Sequence, residues 1–195
     1  MRADFAVMEM FDLKSTSDQE DFVLYPAIAA GAPVQILPEQ AGNWACPQPS
    51  ISNDEIAYTM VSGLSGRLYL SGFLDQMDAR QSALVQNALT LSKSIRDDIA
   101  LSVPGWPMGL PDWYAASVAL TLKAPDRTFV YVWHRGSEDA ELTLHLGTEV
   151  RARHLIEQHP RTLTAWSASD GPANTIILRP GLAGMAARVY EIIQD

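Results

Sequence analysis

Apolar residues along this chain change their spacing once, close to residue 103. Before that point they recur at helical intervals; after it they alternate with polar ones. Ser52 opens a strong helix, because Glu55 follows at the spacing of a capping box, which satisfies two orphan N–H groups at once. Ile56, Met60, Val61, Leu64, Leu68 and Tyr69 then repeat with helical spacing, which predicts one helix that runs on to a stop at Gly72. The small residues Ser62, Gly63, Ser65 and Gly66 leave room for a close neighbour on another face. Asp78 starts the next helix, with Leu84, Val85, Ala88, Leu91 and Ile95 as its buried stripe.

Nearer the N-terminus the pattern is shorter. Apolar positions predict a small buried helix over residues 5–11. Asp18 is placed to N-cap a helix over residues 19–30, Asp21 adds negative charge to its first turn, and Pro26 kinks or ends it. The run 34–37 before Pro38 is of strand type, and 42–47 reads as the loop after it.

Beyond the Pro/Gly/Trp-rich stretch at 104–113 the texture is that of strands. Residues 117–123 alternate, 128–135 form the clearest strand, and Pro125-Asp126-Arg127 makes a tight turn between them. Further strands are predicted at 141–146, 153–157, 162–166, 175–178 and 187–193. Short strands separated by turn residues predict an antiparallel sandwich.

Composition narrows the function classes. At 195 residues, with 47% hydrophobic and 19% charged, the chain can bury a real core and is not of a disordered type. Its net charge of −9 opposes binding to a nucleic-acid backbone and is compatible with a neutral ligand such as a sugar. Cys46 stands alone, so no intrachain disulfide and no cysteine-rich metal site can form. His134, His145, His154 and His159 lack ligand spacing and read as structural or surface residues. No cofactor and no metal is expected. The sequence has neither an apolar run of the roughly 18 residues a membrane span needs nor an export signal, so the expected place is the cytoplasm. Trp106 and Trp113 are expected as core fillers, whereas Trp44 could either stack on a sugar ring or be packed.

Several segments, in order, resemble melibiase-type alpha-galactosidases (glycoside hydrolase family 36). Arg2-Ala3-Asp4 resembles the Arg-x-Asp that ends the sixth barrel strand, and Thr16-Ser17-Asp18 with Asp21 resembles the family's Thr-Ser-Asp-x-x-Asp at the seventh. Tyr25-Pro26 through Asn43-Trp44-Ala45-Cys46-Pro47 follows the eighth-strand region, and Ser62 to Gly72 looks like the last barrel helix. Trp106-Pro107 and Val132-Trp133-His134-Arg135 resemble the entry to the C-terminal β-domain and one of its strands.

The resemblance implies the last part of a (β/α)8 TIM-type barrel over residues 1–103 and an antiparallel β-domain over 104–195. It further implies a retaining hydrolase of terminal alpha-D-galactosides, with Asp4 as acid/base and Arg2, Asp18, Asn43 and Trp44 at the substrate. Such chemistry uses two carboxyl groups about 5–5.5 Å apart. The Lys-Trp-Asp motif that carries the family's nucleophile does not occur in this sequence. The chain is therefore expected to be an inactive portion of an enzyme, with an alpha-galactoside and the missing barrel strands as partners and a homo-oligomer as a possible state. The alternative is a non-catalytic carbohydrate-binding or structural β-module with a helical lead-in.

Overall fold

A computed structural model describes residues 9–19, 21–136, 140–147, 154–172, 174–181 and 184–193. Three short parallel strands come first: β1 (Lys14–Ser15), β2 (Ala41–Ala45) and β3 (Arg67–Leu70), in the order β1-β2-β3. Helix α1 (Tyr25–Gly31) lies between β1 and β2, and α2 (Asn53–Leu64) connects β2 to β3. The long helix α3 (Ala79–Ala100) follows. The rest of the regular structure is antiparallel: β4 (Val103–Gly105), β5 (Ser117–Lys123), β6 (Thr128–His134), β7 (Leu142–His145), β8 (His154–His159), β9 (Ser167–Gly171), β10 (Thr175–Arg179) and β11 (Ala186–Ile193). They make a five-stranded sheet ordered β4-β5-β6-β11-β8 and a three-stranded sheet ordered β7-β10-β9.

Both long helices start where their caps dictate. Ser52 and Glu55 close a capping box on α2, and Asp78 and Gln81 close one on α3. The five-stranded sheet is the middle layer because its strands are apolar on both faces. Every residue of β6 is buried. Phe129, Tyr131 and Trp133 join Ile56, Met60 and Leu64 of α2 and Leu84 and Ile95 of α3 in one core. Val130 and Val132 point the other way, into a second core with Leu142, Leu144, Ile176 and Leu178 of the three-stranded sheet. The first core thus continues across residues 103 and 104, from the helices onto β5, β6 and β11.

Several expectations are corrected. The helix placed at 19–30 begins only at Tyr25, with Pro26 in its first turn, where a missing N–H costs nothing. Asp18 is not its cap; Asp21 instead accepts from Val23 N at 2.9 Å and turns the chain before the helix. Residues 34–37 form no strand, and the segment read as a loop supplies β2. The helix read through to Gly72 stops at Leu64, and Arg67–Leu70 is a strand rather than part of a last barrel helix. Gly66 makes that stop possible: a Cβ there would sit 2.6 Å from Ala41 O and 2.8 Å from Asn43 Nδ2. The strand expected at 162–166 lies at Ser167–Gly171. Trp113 is 36% exposed and fills no core, whereas Trp106 packs against the first core as expected. The helix expected at 5–11 falls largely outside the described residues.

Among the described residues one charged group, Arg188, is fully interior. Arg188, with no exposed surface, donates to Ala187 O at 2.8 Å and to Thr164 O at 2.6 Å, and its guanidinium lies 5.2 Å from the Trp166 ring. Asp54 and Glu157 face it at 3.7 Å each. Beside it His159 is buried with neither ring nitrogen bonded to protein. Burial first, and the Arg188 charge second, hold the His159 pKa down at about 3, against an ordinary 6.5. A histidine kept neutral in the fold binds its proton more readily when unfolded, so its contribution to stability is complete above about pH 6.5 and falls away toward pH 3. Burial raises Glu157, which has the opposite sign and offsets part of the loss. Urea midpoints should therefore fall on acidification between those limits, and His159→Leu should flatten that dependence; an equally steep curve in the variant would show that His159 is not its source.

Candidate functional site

The parallel sheet has two different faces. Asn43 and Ala45 of β2 point toward α2, whereas Gly42 and Trp44 point away, because successive strand residues alternate. Trp44 and Tyr69, opposite each other in the β2–β3 register, meet edge to face with ring centroids 5.0 Å apart. Gly42 is needed beneath them, since a Cβ there would come to 3.0 Å from the Tyr69 ring and 3.1 Å from Lys14 O. The open face of the sheet is thus an aromatic wall, half-buried at Trp44 and Tyr69.

Hydroxyl groups tie this wall to the carboxyl ends of the strands. Trp44 N–H donates to Tyr25 Oη at 2.8 Å, and Tyr25 Oη lies 2.7 Å from Thr16 Oγ1. Thr16 in turn donates to Gly42 O at 3.1 Å, so Tyr25 is the donor to Thr16 and the three bonds run in one direction. A second chain runs from Trp44 Nε1 to Ser15 Oγ at 2.9 Å and on to Ser17 O at 3.3 Å. Burial raises the Tyr25 pKa against these hydrogen bonds, and the neighbouring Cys46 and Asp18 add to the rise. Tyr25 is therefore a neutral bonding group and not a base.

Of the residues expected at a site, Asp18, Asn43 and Trp44 have a place in the structure. Arg2 and Asp4 lie outside the described residues. Asp18 follows β1 at its carboxyl end, near enough to Tyr25 to act on its charge. Trp44 stands on the open face. Asn43, its neighbour in sequence, is fully buried on the helix side, with Nδ2 donating to Ser65 Oγ at 3.0 Å, and does not reach the rim. Cys46 closes β2, its N–H on Thr59 Oγ1 at 2.8 Å; burial pushes its thiol up, away from the thiolate a nucleophile needs. Ser15, Thr16, Tyr25 and Tyr69 went unselected in the sequence. For Tyr69 the signal was available, as Ser65-Gly66 breaks the helix just before Arg-Leu-Tyr-Leu.

Chemically, this arrangement offers an aromatic surface beside hydroxyls and one carboxylate, a set that suits the apolar face and hydroxyl rim of a sugar ring. Among the described residues no group of three or more His, Cys, Asp or Glu is arranged to hold a metal ion, and no helix is long and apolar enough to cross a membrane.

No family model matches the sequence, and neither does any curated protein. The fold does have solved counterparts. The chain is similar to the GH36 alpha-galactosidase AgaA from Geobacillus stearothermophilus, both in a variant in complex with 1-deoxygalactonojirimycin (TM-score 0.68, 10% identity) and in one in complex with raffinose (TM-score 0.70, 10% identity). It is equally similar to the galactosidase domain of the alpha-galactosidase-sucrose kinase AgaSK (TM-score 0.69, 12% identity). Each likeness covers 91% of this chain and 25% of the other, so the chain spans a quarter of the length of those structures. At such identities what is shared is the fold: the antiparallel sheets match the C-terminal β-sandwich of GH36 enzymes.

Tyr25→Phe should leave the Trp44 N–H and the Thr16 hydroxyl each short of a partner. The expected cost is about 1–3 kcal/mol, read as a lower urea midpoint together with a changed near-ultraviolet signal from Trp44. A variant as stable as the parent would mean that water replaces the phenol freely.

Proposed function

We propose that this chain forms the C-terminal part of a retaining glycoside hydrolase acting on terminal alpha-D-galactosides. In this reading β1, β2 and β3 are the last strands of a (β/α)8 barrel over residues 1–103, and residues 104–195 form the β-domain that follows. One observation carries it: the likeness to three galactosidase structures takes in 91% of the chain. A barrel places its chemistry at the carboxyl ends of its strands. Asp18 follows β1 there, and Trp44 and Tyr69 occupy the face that would line the barrel interior.

Asp4 is the acid/base on this reading, protonating the leaving oxygen and then activating water, with Arg2 orienting it or the substrate. The nucleophilic carboxylate comes from another stretch of polypeptide, about 5–5.5 Å away as retention requires. Trp44 takes the apolar face of the galactose ring and Asp18 a hydroxyl. Asn43, buried on the helix side, holds the turn between α2 and β3 and leaves the sugar to its neighbours.

A second reading, a non-catalytic carbohydrate-binding or structural module, is favoured by the way Ser15, Thr16, Tyr25 and Trp44 satisfy one another. One assay separates the two. Alone, the chain should leave a nitrophenyl alpha-galactoside intact. Combined with the polypeptide encoded immediately upstream in the same frame, it should hydrolyse that substrate with retention, and Asp4→Asn should slow the reaction about 10²–10⁴-fold. Whole-enzyme turnover by the chain alone removes the claim that it depends on a partner carboxylate; no turnover in any mixture favours the module.

A further inference from the structure

Away from the parallel sheet, a cleft of about 390 Å³ opens where β4 and β5 approach the end of β7. Small-molecule sites run from about 300 to 1,000 Å³, so this one has room for a single small ligand. It is built from three separate segments. Val103, Pro104 and Gly105 pair with Lys123, Leu122 and Thr121, which sets β4 along one side. The His145 N–H donates to Pro107 O at 2.8 Å, which pins the end of β7 to the turn after β4 and brings the two antiparallel sheets together.

The lining combines an indole with hydrogen-bonding groups. Trp106 is half-buried, and its indole N–H is fixed on Ala30 O at 2.8 Å, so the ring is held in place before any ligand arrives. Gly105 creates space next to it: a Cβ there would stand 2.6 Å from Thr121 Oγ1. Thr121, Lys123 and His145 supply a hydroxyl, an ammonium and an imidazole. None of the described lining residues is Asp or Glu, in a chain with 23 of them.

We propose that this cleft is a second binding site, for the ring of a neutral pyranoside lying against Trp106 with its hydroxyl groups on Thr121 and His145. An aromatic face takes the C–H side of a pyranose, and the polar groups around it fix the hydroxyls, so ring and rim are read together. The site lies on the sandwich, apart from the ends of β1, β2 and β3, and does not depend on the function proposed for them.

The full chain should be titrated with methyl alpha-galactoside, methyl alpha-glucoside and sodium glucuronate, following tryptophan fluorescence and amide NMR shifts. A neutral glycoside should bind saturably, with shifts at residues 103–107 and 145–147. Thr121→Val and His145→Ala should each weaken it about tenfold, the loss of roughly one hydrogen bond. His145 is exposed, so its variant keeps the fold intact. The amide shifts at residues 103–107 and 145–147 should persist in Trp44→Phe. The inference fails if no glycoside binds saturably, if binding follows Trp44→Phe and ignores the cleft variants, or if glucuronate binds more tightly than the neutral sugars.

Discussion

Everything in this molecule depends on a sheet that must be apolar on both faces. At its centre, β6 carries large aromatic residues toward the helices and smaller valines toward the second sheet. A slip of one residue in its pairing would exchange Phe129, Tyr131 and Trp133 with Val130 and Val132, overfilling one core and emptying the other. Size therefore fixes the register as firmly as polarity does. Two polar contacts lock it further. Trp133 Nε1 reaches across to Ser62 Oγ of α2 at 3.1 Å, and Arg127, in the β5–β6 turn, grips Glu191 with two nitrogens and Asp98 with a third.

How much of this could be read from the sequence follows from where the folding information is local. Caps are local, so Ser52 and Asp78 announced their helices correctly. Alternation is local too, and the strands read at 117–123, 128–135 and 175–178 match β5, β6 and β10 to within a residue. The parallel sheet was not legible. Ala-Gly-Asn-Trp-Ala has little strand propensity of its own and is a strand because β1 and β3 flank it. Leu68 and Tyr69 happened to continue the helical phase of α2, so periodicity outvoted the Ser65-Gly66 break. Pro26 was read as a kink or the end of a helix when it marks the beginning of one.

The site divides along the same line. A loop reading treats Asn43 and Trp44 as equals, but a strand sends them to opposite faces, one into the protein and one to the open wall. Tyr25 and Thr16 lie in segments that only the tertiary fold brings to Trp44, and no motif spacing announces a phenol that accepts from β2 and donates to the residue after β1. The resemblance to alpha-galactosidases was built on segments in order. It did not tell which side chains face out.

Charge connects these observations to the kind of ligand the surface can take. The chain has 14 Lys and Arg against 23 Asp and Glu, and several of its arginines are turned inward. Arg188 is wholly interior, Arg127 ties a hairpin to α3 and β11, and Arg135 holds Val23 O at 3.0 Å and Trp113 O at 2.9 Å. Arg127 and Arg188 each face two carboxylates, so these groups cancel most of their own charge and the outward field stays acidic, as the sequence total implies. Anionic partners are repelled from most of such a surface. Aromatic rings, hydroxyls and apolar edges, the groups presented by Trp44 and Tyr69 and again by Trp106 and Thr121, bind without net charge and are indifferent to that field. Recognition by stacking and neutral hydrogen bonds is one mode this charge distribution leaves open.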